Sequence, residues 1–116
     1  MPVRMGDDEF EVLVGEALDS IPTELTDAMS NVVILIEPRN PESDHILGLY
    51  SGVALTERTH DYGGFLPDTI TIYRDSILAI CHSREQVVHE VAVTVIHEIG
   101  HHFGIDDEWL HAHGWG

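Results

Sequence analysis

The feature that most restricts this chain is one long amphipathic segment, Arg84 to Phe103, REQVVHEVAVTVIHEIGHHF. Ser83 stands where an N-cap belongs, and Gln86 three residues later completes a capping-box pattern. Gly104 follows as the C′ residue, able to take the left-handed conformation that ends a helix. The spacing predicts a single helix about 30 Å long at 1.5 Å per residue. Val88, Ala92, Val95, Ile96, Ile99 and Phe103 are its expected buried positions. Whatever else the chain does, it must build a core against this rod.

The same helix carries His97-Glu98-Ile99-Gly100-His101, an H-E-x-x-H run. At 3.6 residues per turn His97 and His101 share one face, one turn apart. Two imidazoles so placed can hold Zn²⁺ at about 2.0–2.1 Å each. Glu98 sits on the rim of that face, placed to reach a water on the metal rather than the metal itself. Catalytic zinc needs a third protein ligand and an open position. After the turn at Gly104 the next residues are Ile105, Asp106 and Asp107, so the full pattern reads H-E-x-x-H-x-x-G-x-x-D, with Asp107 as the expected third ligand. His111 and His113 in the tail are its rivals, and Asp106 is a weaker one. His102 points about 100° away from His101 and reads as a packed or hydrogen-bonded helix residue, while His89 lies too far from His97 to join a site with it.

The run HEIGHHFGIDDEWL resembles the signature of the short bacterial zincin-like metallopeptidases, and LGLYSGVALTER (47–58) and LPDTITIYRDSI (66–77) extend the resemblance over roughly residues 30–110. The resemblance implies an α+β chain with a minimal zincin-like fold, in which a small mixed β-sheet packs on a long active-site helix. It also implies a zinc peptidase whose peptide or protein substrate binds along an edge strand. Larger metzincins place His where Asp107 stands here and carry a Met-turn, whereas Met1, Met5 and Met29 all lie far upstream. The short stretch after His101 argues against a Glu ligand on a later helix.

Two other readings compete. Bacterial rRNA-processing zinc endoribonucleases carry H-x-x-x-H-x-x-G-x-D-H, which His97, His101, Gly104 and Asp106 fit. Glu98 departs from that pattern, and Asp107 takes the place of its third His. A non-catalytic zincin scaffold that keeps metal for stability or for a partner is the other, opposed by the presence of a general base at Glu98.

Charge separates these further. The 116 residues carry a formal net charge of −16, with five basic residues, all Arg. Such a field repels phosphate backbones, so no nucleic-acid partner is expected. A single cysteine, Cys81, excludes an internal disulfide and reads as a core residue of the run SILAIC. The acidic start MPVRMGDDEF lacks the apolar stretch of a signal peptide, and no run reaches the roughly 18 apolar residues of a membrane span. The chain therefore reads as cytoplasmic, without a membrane partner and with no indication of oligomeric state.

The remainder reads as one zincin-like domain over 1–116. Helical spacing from Asp7 to Ile21 ends at Pro22, and a short second helix runs from Thr23 to about Met29. Strands are expected at Asn31–Glu37, Ile46–Thr56 and Thr69–Arg74. On the second strand Gly48 and Gly52 share a face where a backbone can approach closely. Glu57–Asp68 is a long irregular stretch, a candidate wall of a cleft with His60 or Tyr62 near a substrate. Asp75 is expected to cap a short helix to about His82, and Trp109 and Leu110 to pin the turn that presents Asp107.

Overall fold

The structure, a computed structural model, describes residues 2–52, 67–104 and 107–112, the side chains of Ala28 and Asp107 excepted. Two N-terminal helices come first, α1 (Asp7–Asp19) and α2 (Thr23–Thr26), the latter running into a 3₁₀ turn at Asp27–Met29. Three strands follow, β1 (Val32–Glu37), β2 (Gly48–Ser51) and β3 (Asp68–Tyr73). They lead into α3 (Arg74–Ile80), the long α4 (Arg84–Phe103) and a closing α5 (Asp107–Ala112). Residues 53–66, which hold the end of the expected second strand and most of the irregular stretch, lie outside the described residues.

The sheet is mixed, in the order β1-β3-β2, with β1 parallel and β2 antiparallel to the central β3. Register aligns Ile34, Ile70 and Tyr50 in one cross-strand row and Ile36, Ile72 and Gly48 in the next. These rows face α4. The alternate row Leu35-Thr71-Leu49 faces the other way, and Val33, Leu35 and Leu49 are 42–43% exposed there. The fold is therefore α+β, a three-stranded sheet with one face on a long helix.

The core lies where α1 and the inner sheet face meet α4. Phe10, Leu13, Val14 and Ala17 of α1 interlock with Val87, Val91, Ala92, Val95, Ile96 and Ile99 of α4, with Ile70 and Ile72 on the sheet side. Burying a large aliphatic or aromatic side chain contributes about 1.5–3 kcal/mol, so this seam is the main source of stability. Cys81 and Leu110 are also fully buried. Leu110 and the half-buried Trp109 dock α5 on the core, while the turn they are expected to pin, at residues 105–106, lies outside the described residues.

Three local features differ from the sequence reading. Phe103, expected in the core, is 48% exposed; among the described residues the rings beside it are those of Tyr50 and His102. Helix α3 begins at Arg74 rather than being capped by Asp75, whose carboxylate instead takes the Arg74 guanidinium at 3.2 Å. Residues 107–112 coil into a helix that the mixed tail sequence did not announce. No helix among the described residues is long and apolar enough to cross a membrane.

Candidate metal and catalytic site

The site is carried by the last two turns of α4, whose ends are fixed as the sequence demands. The Ser83 hydroxyl accepts the Gln86 N–H at 3.1 Å, and the Gln86 side chain reaches back to accept the His82 N–H. That is a capping box displaced by one residue. At the other end Gly104 adopts φ 74°, ψ 23°, and its N–H closes on the Gly100 carbonyl. This left-handed turn disfavours any residue with a Cβ and sends the chain sharply out of the helix.

His97 is half-buried and His101 exposed, and their ring centroids lie 6.3 Å apart at an interplanar angle of 82°. Two imidazoles each about 2.0–2.1 Å from one zinc ion would have centroids roughly 5–6 Å apart. The observed separation of 6.3 Å is slightly longer than that. Among the described residues no group of three His, Cys, Asp or Glu is gathered closely enough to enclose a metal. Asp107 opens α5, just past the Gly104 turn, but its side chain lies outside the described residues, as do Asp106 and His113. His111 is on α5 with an exposed side chain.

Glu98 does something the sequence did not disclose. Its Oε1 accepts the backbone N–H of Tyr50 at 2.9 Å, tying α4 to strand β2. The strand geometry explains why that N–H is available. The Leu47 carbonyl accepts from the Tyr73 N–H at 2.9 Å, so Leu47 and its alternates face β3. The backbone groups of Gly48 and Tyr50 then point to the outer edge. Strand β2 can come this close to α4 because residue 48 is glycine: a Cβ there would lie 2.5 Å from Thr94 Cγ2 and 3.2 Å from the Thr71 carbonyl oxygen.

Behind this contact stands a polar cluster that spacing alone could not reveal. The Tyr50 hydroxyl donates to Asp68 Oδ2 at 2.7 Å, and the Tyr50 ring stacks on the His102 ring with centroids 4.0 Å apart and planes 13° from parallel. His102 Nε2 lies 3.8 Å from the buried Asp68 carboxylate. His102 is thus a packed residue facing away from the His97–His101 pair, as its position one step round the helix predicts.

Beside His97 and Glu98 opens a cleft of about 270 Å³ between the start of β2 and the outer side of α4. Ile46, Leu47 and Gly48 form one wall, and Glu90, Val93 and Thr94 the other. The edge of β2, the Glu98 carboxylate and the first histidine therefore border one space.

Residues 29–115 match the model of a family described as zincin-like metallopeptidase. No curated protein matches the chain. Among solved structures, a conserved hypothetical protein from T. thermophilus superposes with a TM-score of 0.55 at 24% identity, covering 85% of this chain and 94% of that one. At that identity the likeness speaks for the fold.

Proposed function

Because the chain belongs to the zincin-like metallopeptidase family, we propose that it is a zinc-dependent peptidase in which His97, His101 and Asp107 hold the metal and Glu98 is the general base. The observation that carries this reading is the joining of three parts: the His97–His101 pair, a Glu98 carboxylate fixed in place, and an edge strand bordering the same cleft. Two neutral imidazoles and a carboxylate form a donor set suited to zinc with one position left open. Zinc bound there supplies polarisation of the scissile carbonyl and acidification of a water towards a pKa of about 7.

The protein's own groups do the rest. The Tyr50 N–H holds Glu98 Oε1, which limits the swing of the side chain and leaves Oε2 to take the proton from the attacking water. Glu98 then hands that proton to the nitrogen of the departing amine. Gly48 offers outward N–H and C=O groups to an extended peptide laid along β2, a β-addition mode of recognition that reads backbone rather than side chains. A net charge of −16 favours peptide over nucleic-acid substrates.

The deciding experiment is Glu98→Gln. Gln retains an oxygen to accept the Tyr50 N–H but cannot serve as the base. Zinc content and melting temperature stay at the wild-type level, while turnover of a varied peptide set falls about 10²–10⁴-fold. Wild-type protein with full zinc and no cleavage of any peptide would defeat the proposal and leave a metal-holding scaffold. The Glu98–Tyr50 bond favours that second reading to one extent, since it gives Glu98 a structural use.

A further inference from the structure

We propose that the cleft between β2 and α4 selects a substrate side chain bearing a positive charge, and that Glu90 is the residue that reads it. This inference rests on the peptidase reading and gives its substrate class. Glu90, Val93, Thr94 and His97 follow one another at helical spacing on one side of α4, so the cleft runs from the reacting end towards Glu90. Glu90 lies seven positions before His97, about 10 Å along the axis. Most of that span is covered by an extended lysine or arginine side chain whose backbone lies beside the metal pair. The walls met on the way are aliphatic, from Ile46, Leu47 and Val93. An apolar path ending at a carboxylate matches a methylene stem with a cationic tip.

Among the described residues Glu90 is also uncommitted. It is half-buried and makes no hydrogen bond or ion pair among the described residues. The arginines Arg39, Arg74 and Arg84 are engaged elsewhere, with Asp44 and Asp75, with Asp7 and Asp75, and with Glu9 respectively. Its charge is felt inside the fold, where it adds to burial in raising the Cys81 thiol. A half-buried carboxylate without a partner is costly to cover. An apolar side chain entering the cleft would shut Glu90 away unpaired, an acidic one would be repelled, and a basic one supplies the missing partner. Discrimination therefore comes from what the cleft refuses as well as from what it binds.

The test separates binding from turnover. Full-length Glu98→Gln protein is titrated by NMR with two blocked pentapeptides, alanine throughout except for a central arginine in one and its neutral isostere citrulline in the other. The arginine peptide binds about tenfold more tightly, the worth of one charge-assisted hydrogen bond, and shifts the amides of Glu90, Val93 and Thr94. Adding Glu90→Gln removes the preference. Adding Glu85→Gln, which deletes the same charge from the exposed first turn of α4 and outside this cleft, leaves it intact. Equal affinity for the two peptides, or equal loss from the Glu85 and Glu90 changes, overturns the proposal. If the Glu90 variant does not fold, the arginine–citrulline comparison alone decides. Peptides that bind with the arginine preference but are never cut by wild-type protein would defeat the peptidase reading and leave the cleft assignment standing. Cleavage indifferent to a basic residue would do the reverse.

Discussion

Asp107 and Asp106 are adjacent acids that the site reading treats very differently, which makes them a sharp test at the scale of single residues. Asp107→Ala should weaken zinc affinity by about tenfold or more relative to Asp106→Ala, measured by competition with a chelator. Equal effects, or zinc release by His111→Ala or His113→Ala instead, would move the third ligand elsewhere. Cys81 offers a second test that needs no metal. Burial, and secondarily the charge of Glu90, push its thiol up to about 11. Because the folded-state value is raised, the unfolded chain loses its thiol proton first as pH rises. Stability is thus fully present below the ordinary thiol range at about 8.5 and is lost progressively as pH climbs towards about 11. Chemical denaturation across that window should show a downward slope that Cys81→Ala makes shallower. The same thiol should resist alkylation at mildly alkaline pH in the native protein. The placement of residues on α4 was legible in the sequence because a helix converts spacing into direction: the shared face of His97 and His101, Glu98 beside it, and His102 turned from it follow from periodicity alone. Tyr50, Asp68 and Glu90 were not, since their roles depend on contacts between elements far apart in the chain. The hint for Tyr50 was the glycine two residues before it.

At the scale of elements, β2 comes hard against α4 at Gly48 and Thr94. Gly48→Ala should cost about 1–3 kcal/mol by overpacking. Thr94→Ser removes the offending Cγ2, so in combination with Gly48→Ala it should restore part of that loss. A double-mutant cycle by urea denaturation would show a coupling energy. Additive effects would mean that β2 and α4 do not press on each other there. The elements themselves were mostly readable. The bounds of α4 agree with its cap residues, β1 and β3 fall within a residue of their predicted limits, and α1 ends before Pro22 as expected. The departures share one cause: propensity and pattern describe a segment alone, while its neighbours decide how much is covered. Phe103 carries the right spacing for burial, yet it is 48% exposed, and among the described residues the rings beside it are those of Tyr50 and His102. α5 is only six residues long, and its seat is provided by the core residue Leu110 rather than by a helical pattern.

Taken whole, the molecule combines a modest core with a large excess of negative charge. Self-repulsion of that kind destabilises the compact state and is screened by salt, with a Debye length of about 10 Å at 0.1 M and about 3 Å at 1 M. The melting temperature should rise between low salt and about 1 M sodium chloride. A flat response would mean that the acidic groups are already neutralised by bound cations. Zinc should add to this independently, by about 4 kcal/mol when free metal is a thousandfold above Kd. Chelation should lower the melting temperature, and added zinc should restore it. The hydrogen bond from the Tyr50 amide to Glu98 also bears on descent. One acceptor oxygen fastens a strand to a helix and, under the proposed function, belongs to the group that would handle the proton, so a lineage that abandoned such catalysis would still be under pressure to keep an oxygen at that place. Glutamine satisfies this and alanine does not. A relative with Gln in place of Glu98 and both histidines intact would be a retired enzyme that had kept its architecture. One with a small apolar residue there would have to show a strand edge rebuilt by other means.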